Sequence, residues 1–102
     1  MANFELRYSP LFYDDLHKIT NYILQDLKNE QAAKKLVHDI EEAIEKRLHN
    51  PLQTASYPSI HRRKHEYRRI LVGSYLIFYI VIDHTMIVRR LLYGRRDLHK
   101  IL

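Results

Sequence analysis

Tyr67-Arg68-Arg69-Ile70-Leu71-Val72, Gly73-Ser74, Tyr75-Leu76-Ile77-Phe78-Tyr79-Ile80-Val81-Ile82: this stretch decides the fold. A break at Asp83-His84-Thr85 leads into Met86-Ile87-Val88-Arg89-Arg90-Leu91-Leu92-Tyr93, and Gly94-Arg95-Arg96-Asp97 follows. The three runs are rich in β-branched and aromatic residues, and turn-type residues separate them. That pattern predicts an antiparallel meander. The middle run is apolar at nearly every position, as in a central strand buried on both faces. The flanking runs carry Arg68-Arg69 and Arg89-Arg90, so at least one arginine of each pair must leave the core.

Upstream, Phe4-Glu5-Leu6-Arg7-Tyr8 alternates apolar and polar residues and predicts a short first strand. Ser9-Pro10 then opens a helix. Pro10 suits the first helical position, and Ser9 can accept a bond from a free N–H of the first turn. Asp14 and Asp15 fall near the positive end of this helix. Phe12, Leu16, Ile19 and Ile23 form its apolar face, and the pattern ends at Leu27 or Lys28. Asn29 is placed to cap a second helix whose stripe is Ala33, Leu36, Val37, Ile40, Ile44 and Leu48. Its outer face carries Glu41, Glu42, Glu45, Lys46 and Arg47. Asn50-Pro51 stops it, because proline disfavours a helical residue before it. The connection is short, so the helices form an antiparallel hairpin facing the sheet. Residues 51–60 read as loop, and His61-Arg62-Arg63-Lys64-His65 as a basic run before the meander. The fold class is α+β, ordered β-α-α-β-β-β, in one domain spanning residues 1–102.

A chain of 102 residues buries a modest two-layer core. It has no cysteine, which removes disulfides and thiolate chemistry and fits a reducing cytoplasm. The longest apolar run, residues 70–82, is too short to span a bilayer, and no secretory leader is visible. The net charge of +5 is uneven. Residues 1–50 hold seven Lys/Arg and nine Asp/Glu, and residues 51–102 hold ten and three. The balance is therefore −2 in the first half and +7 in the second. Guanidinium groups crowded on a small sheet repel one another unless an anion faces them. A nucleic acid or an acidic protein segment would serve, and a merely solvated basic face is the plain alternative.

The chemistry available is narrow. Asp14 and His17 are neighbours on a helix, as in a surface pair rather than a ligand pair. Gly73 and Gly94 do not make a phosphate loop, and no Ser/His/Asp spacing is present. Carboxylates are scarce where the cations gather, which argues against paired-carboxylate catalysis. His65, Tyr67, Arg69, Tyr93, Arg96 and His99 remain. Guanidinium groups among them can stabilise a pentacovalent phosphate while a His or Tyr moves protons, with the substrate's 2′-OH attacking. The same arginines equally suit a surface that only binds. Tyr75 and Tyr79 read as sheet-packing residues with the phenol tip in water.

The chain resembles the RelE/ParE superfamily of toxins from bacterial type II toxin–antitoxin systems. The resemblance runs through Tyr8-Ser9-Pro10, Asp15-Leu16, Ala32-Ala33 and Asn50-Pro51. It is strongest over residues 69–75, Ile77-Phe78-Tyr79 and residues 88–97. It implies a two-helix hairpin on a small twisted antiparallel sheet. It also implies a cytoplasmic growth-inhibiting toxin, associated with plasmid stabilisation, whose partner is a cognate antitoxin. RelE-like members cut messenger RNA on the ribosome; ParE-like members inhibit DNA gyrase. RelE-like chains place cations at alternate positions before the glycine turn and just after the tyrosine that follows. Here those positions include Leu71 and Leu76, and only Arg69 and Arg96 match. Residues 75–79 and 90–97 resemble ParE.

The resemblance thus implies a ParE-like gyrase inhibitor, with an RNA-cleaving mRNA interferase as the alternative. Target contact would fall to Arg68, Arg69, Arg89, Arg90, Arg95 and Arg96. If the chain cleaves RNA, Arg69, Arg96, His65 and His99 are the catalytic candidates. No cofactor, metal, membrane or small-molecule substrate is implied.

Overall fold

The structure is a computed structural model that describes residues 3–53 and 66–94. Strand β1 (Glu5–Tyr8) leads into α1 (Pro10–Asn21), a π-helical turn (Tyr22–Asp26) and α2 (Glu30–Leu48). Strands β2 (Arg68–Val72), β3 (Tyr75–Ile82) and β4 (Thr85–Tyr93) complete the α+β arrangement expected from the sequence. Spatial order in the sheet is β1-β4-β3-β2. The β2–β3 and β3–β4 pairs are antiparallel, whereas β1 pairs parallel with β4, Glu5 to Tyr8 opposite Thr85 to Val88. Among the described residues, no helix is long and apolar enough to cross a membrane.

Two two-residue turns join the meander. Val72 pairs with Tyr75, and Gly73 between them has φ +56°. A Gly-X turn of this kind needs positive φ at its first residue, which only glycine adopts without cost. Ile82 pairs with Thr85, so Thr85 belongs to β4 rather than to the turn. Asp83 has φ +54°, a region that a short polar side chain tolerates.

Asn29 caps α2 as its position predicts: its Oδ1 accepts from Ala32 N at 3.0 Å. The first helix ends differently from its sequence pattern. Regular α-helix stops at Asn21, and one wider turn continues to Asp26, with Leu27 N donating to Tyr22 O at 3.2 Å. Lys28, at φ +50°, then reverses the chain, and Asn29 N donates back to Ile23 O.

Ser9 precedes Pro10 as expected, but its hydroxyl does not cap the helix. It donates to Arg89 O at 2.8 Å, while Ser9 N donates to Val88 O at 2.9 Å. The reason lies in the sheet. Strand β1 ends at Tyr8 opposite Val88, so the β4 edge beyond it would lack partners. Ser9 takes over there, because an unpaired buried carbonyl is costly.

The main core joins Phe12, Ile40 and Ile44 to Ile70, Ile77, Tyr79, Met86, Val88 and Leu91. Val88 and Leu91 are three residues apart, yet a regular strand alternates faces. A β-bulge reconciles them. Val88 pairs with Tyr79 and Arg90 with Phe78, leaving Arg89 as the extra residue of β4. The insertion returns Leu91 to the core. Leu76, Phe78 and Leu92 are buried on the opposite face, with Tyr67 packed edge-on to Phe78.

Candidate functional site

Cross-strand register sorts the cationic residues into rows. Consecutive residues of β2 point to opposite faces, so Arg68, opposite Tyr79, lies on the helix side and Arg69 on the other. Arg69, Phe78 and Arg90 form one row across β2, β3 and β4. The next row is Leu71, Leu76 and Leu92. Leu71 is 71% exposed at the sheet edge, and Leu76 beside it is 4% exposed. The two leucines that depart from the RNA-cleaving pattern are therefore directly paired neighbours, and they make that row apolar.

Arg90 is held inside the molecule. Its Nε and Nη2 donate to Asp15 Oδ2 and Oδ1 at 2.7 and 3.2 Å, a side-on bidentate pair. Leu91 N donates to the same Oδ2 at 2.9 Å. These bonds raise the Arg90 pKa above its usual value, against the opposing effect of partial burial. Asp15 was expected near the helix dipole. Instead it is a buried residue of α1 that accepts from both the backbone and a side chain of β4. Its position carried a signal: it lies three residues after Phe12 and four before Ile19, on the apolar stripe. A carboxylate there needs a partner from the element it packs against.

A second tie runs from α2. Arg47, assigned by pattern to the solvated face, turns inward. One of its terminal nitrogens donates to Arg69 O at 2.9 Å and to the Tyr79 hydroxyl at 3.1 Å. That hydroxyl donates to Pro51 O at 2.6 Å. Tyr79 is 0% exposed, so its phenol tip is not in water as the sequence suggested. A buried hydroxyl on a central strand needs such partners. Arg47 follows Ile44 by three residues, which places it beside the stripe and close to the sheet edge.

Arg68 approaches Glu66 at a loose 4.0 Å. Arg89 is half-exposed, and its Nε is buried with no hydrogen-bond partner among the described residues. Of the candidate catalytic set only Arg69 can be placed. His65, Arg96 and His99 lie outside the described residues, as does Arg95 of the candidate target contacts. Asp14 and His17 are both exposed on α1. No group of three or more His, Asp or Glu that could hold a metal occurs among the described residues.

The helical hairpin carries a cleft, which sequence reasoning did not resolve. One part, about 480 Å³, is lined by Ala33 and Val37 together with Glu30, Lys34, His38 and Glu41, Lys34 pairing with Glu30 at 3.1 Å. An adjoining part of about 240 Å³ shares Val37 and Glu41 and adds Tyr8, Tyr13 and Ile40. Burial, and then the neighbouring Tyr13, raises the Tyr8 phenol above its usual pKa.

Several solved structures share this fold. The chromosomal ParDE toxin–antitoxin system from P. aeruginosa superposes with a TM-score of 0.73 at 19% identity, covering 89% of this chain and 96% of that one. The E. coli DinJ–YafQ toxin–antitoxin complex gives 0.56 at 14% identity, covering 89% and 92%. The RelB–RelE antitoxin–toxin complex from Methanococcus jannaschii gives 0.50 at 25% identity, covering 94% and 98%. No curated protein matches the sequence. Residues 6–98 match the family described as the ParE toxin of the type II toxin–antitoxin system parDE, a match that takes in both helices, β2 to β4 and all of β1 but its first residue. The chain therefore belongs to the ParE toxin family of type II toxin–antitoxin systems.

Proposed function

We propose that this toxin arrests growth by binding DNA gyrase in the cytoplasm, as an inhibitor rather than a nuclease. The observation that carries this reading is the Leu71–Leu76–Leu92 row. Cleavage of RNA by a metal-free Arg/His site needs several guanidinium groups around the scissile phosphate, and losing one such donor typically lowers rate about a hundredfold or more. Two of the positions that would supply them are an exposed and a buried leucine. A further arginine on that face, Arg90, is committed to Asp15. An apolar row bordered by Arg69 suits a protein contact, with buried leucine and tyrosine as anchors and arginine for steering.

The antitoxin encoded beside it would bind in two ways. Acidic residues would meet the arginines of the sheet. Apolar side chains would fill the hairpin cleft, with a basic residue of the antitoxin facing Glu41, which lines both parts of it.

The test is inhibition of gyrase supercoiling by the purified toxin, together with thymidine and methionine incorporation in the first minutes after induction. Loss of supercoiling and an early stop in thymidine incorporation are expected. Untouched supercoiling at high molar excess would overturn the reading. Cuts within translated codons would replace it with ribosome-dependent RNA cleavage by Arg69, Arg96, His65 and His99.

A further inference from the structure

We infer that the free edge of β2 pairs with a second copy of this chain, antiparallel and centred on Leu71; the inference stands independently of the gyrase reading. The sheet has two edges, β1 and β2. They are defended differently. Strand β1 shows Glu5 and Arg7 to solvent, and charged side chains guard an edge against an added strand. Strand β2 keeps Arg68 and Arg69 at its start, but its middle is Ile70-Leu71-Val72, with no charge, proline or bulge. Leu71 is 71% exposed, more than any other large apolar side chain among the described residues.

The backbone of Leu71 is open as well. Val72 and Tyr75 close a two-residue turn, so they exchange hydrogen bonds, and the next pair, Leu71 and Leu76, does not. The N–H and C=O of Leu71 and of Arg69 therefore point away from β3. The Arg69 carbonyl bears this out, since Arg47 of α2 donates to it at 2.9 Å. Leu71 N and O have no such partner among the described residues.

What selects a second copy is the match of side chains. A two-fold axis through Leu71 sets Leu71 against Leu71, and Ile70 against Val72 of the other copy. Both leucines then leave water on the outer face, and half-buried Val72 is covered on the helix face. Each Arg69 falls opposite Gly73, where the place a Cβ would take has nothing within 4 Å. No like charges are directly opposed, an arrangement that would be destabilising. The two Arg69 residues are four positions out of register, about 13 Å along the strands, beyond the ~8 Å reach of exposed charges in physiological salt. Arg47 already occupies the Arg69 carbonyl, so the ladder stays short, with two bonds joining Leu71 to its twin. Pairing hides Leu71, the exposed end of the apolar row, and so withholds that row from a target.

The experiment is sedimentation velocity of the free toxin, recovered from its complex, over a range of concentration and salt. Wild type should form a dimer, and added salt should strengthen it, because each copy carries a net charge of +5. Leu71→Lys should weaken self-association by about a hundredfold, since both copies lose a buried leucine and two like charges meet. Its melting temperature, taken at dilution where wild type is monomeric, should not change. The chain has no cysteine, so Leu71→Cys gives a second readout. Facing residues of a hydrogen-bonded antiparallel pair lie about 5.5 Å apart at Cα, within disulfide reach, so mild oxidation should link two copies there. His84→Cys, exposed in the turn at the far end of β3, should not link.

A wild type that stays monomeric overturns the inference. So does a dimer that survives Leu71→Lys, or one that weakens as salt is added. Equal oxidation rates for the two cysteine variants mark random collision and overturn it too. Unchanged self-association of Leu71→Lys with loss of antitoxin or gyrase binding assigns the edge to that protein instead.

Discussion

Replacing Asp15 by alanine tests whether α1 is fastened to the β4 edge by one carboxylate. Asp15 is 9% exposed and accepts three bonds, from Arg90 Nε, Arg90 Nη2 and Leu91 N. Breaking a buried ion pair by removing one partner costs about 3–5 kcal/mol. The Arg90 side chain keeps 23% exposure, so water can recover part of that and the low end applies. An orphaned Leu91 N–H adds about 1 kcal/mol or more. A loss of about 4 kcal/mol follows, equivalent to a fall of roughly 16–32 °C in melting temperature for a domain of this size. Asp15→Asn retains one oxygen for Leu91 N and Arg90 Nε but forfeits the charge and the bond from Arg90 Nη2, so it should cost about half as much, near 2 kcal/mol. Adding Arg90→Met to Asp15→Ala should recover part of the loss, because the unpaired guanidinium goes with it. Urea and thermal unfolding of the three variants, free of antitoxin, measure these values. A cost below about 1 kcal/mol for Asp15→Ala, or no recovery in the double variant, would refute the carboxylate as the fastening between helix and strand.

Restoring the cationic pattern at the two leucines should have unequal effects. Leu71→Arg, at an exposed edge position, should leave stability within about 0.5 kcal/mol, whereas Leu76→Arg buries a charge and should cost about 3 kcal/mol or more, both read by urea midpoint. Tyr79→Phe removes the bond to Pro51 O and the acceptor for Arg47, and should cost about 1–3 kcal/mol in the same assay; a neutral result would show that the tie between α2, Pro51 and β3 contributes nothing. Burial, reinforced by neighbouring tyrosines, raises the Tyr8 and Tyr75 phenols above their usual pKa. The unfolded chain then releases those protons first, so stability should fall as pH rises beyond about 10. Tyr75→Phe should lessen that fall, as followed by unfolding across alkaline pH.

Much of the architecture could be read from the chain because it depends on local pattern. Alternation, helical periodicity, the Asn29 cap, the Gly73-Ser74 turn and the Asn50-Pro51 stop are properties of neighbouring residues, and they determined the β-α-α-β-β-β order. The leucines at 71 and 76 and the cationic imbalance of the second half were likewise visible without coordinates. Tertiary structure alone decided the rest, because it depends on residues distant in sequence. The end of β1 at Tyr8 leaves the β4 edge open, and that sends the Ser9 hydroxyl to Arg89 O, 80 residues away, rather than to its own helix. Asp15 reads as a dipole partner until Arg90 and Leu91 arrive beside it. The bulge at Arg89 cannot be seen in a run of alternating residues, since it answers the need to place Val88 and Leu91 on one face. Arg69 and Arg90 become neighbours of Phe78 only through register, and the hairpin cleft exists only once two helices meet. Periodicity can say which face of an element is buried. It does not say which polar group from elsewhere must satisfy the donors and acceptors that burial creates.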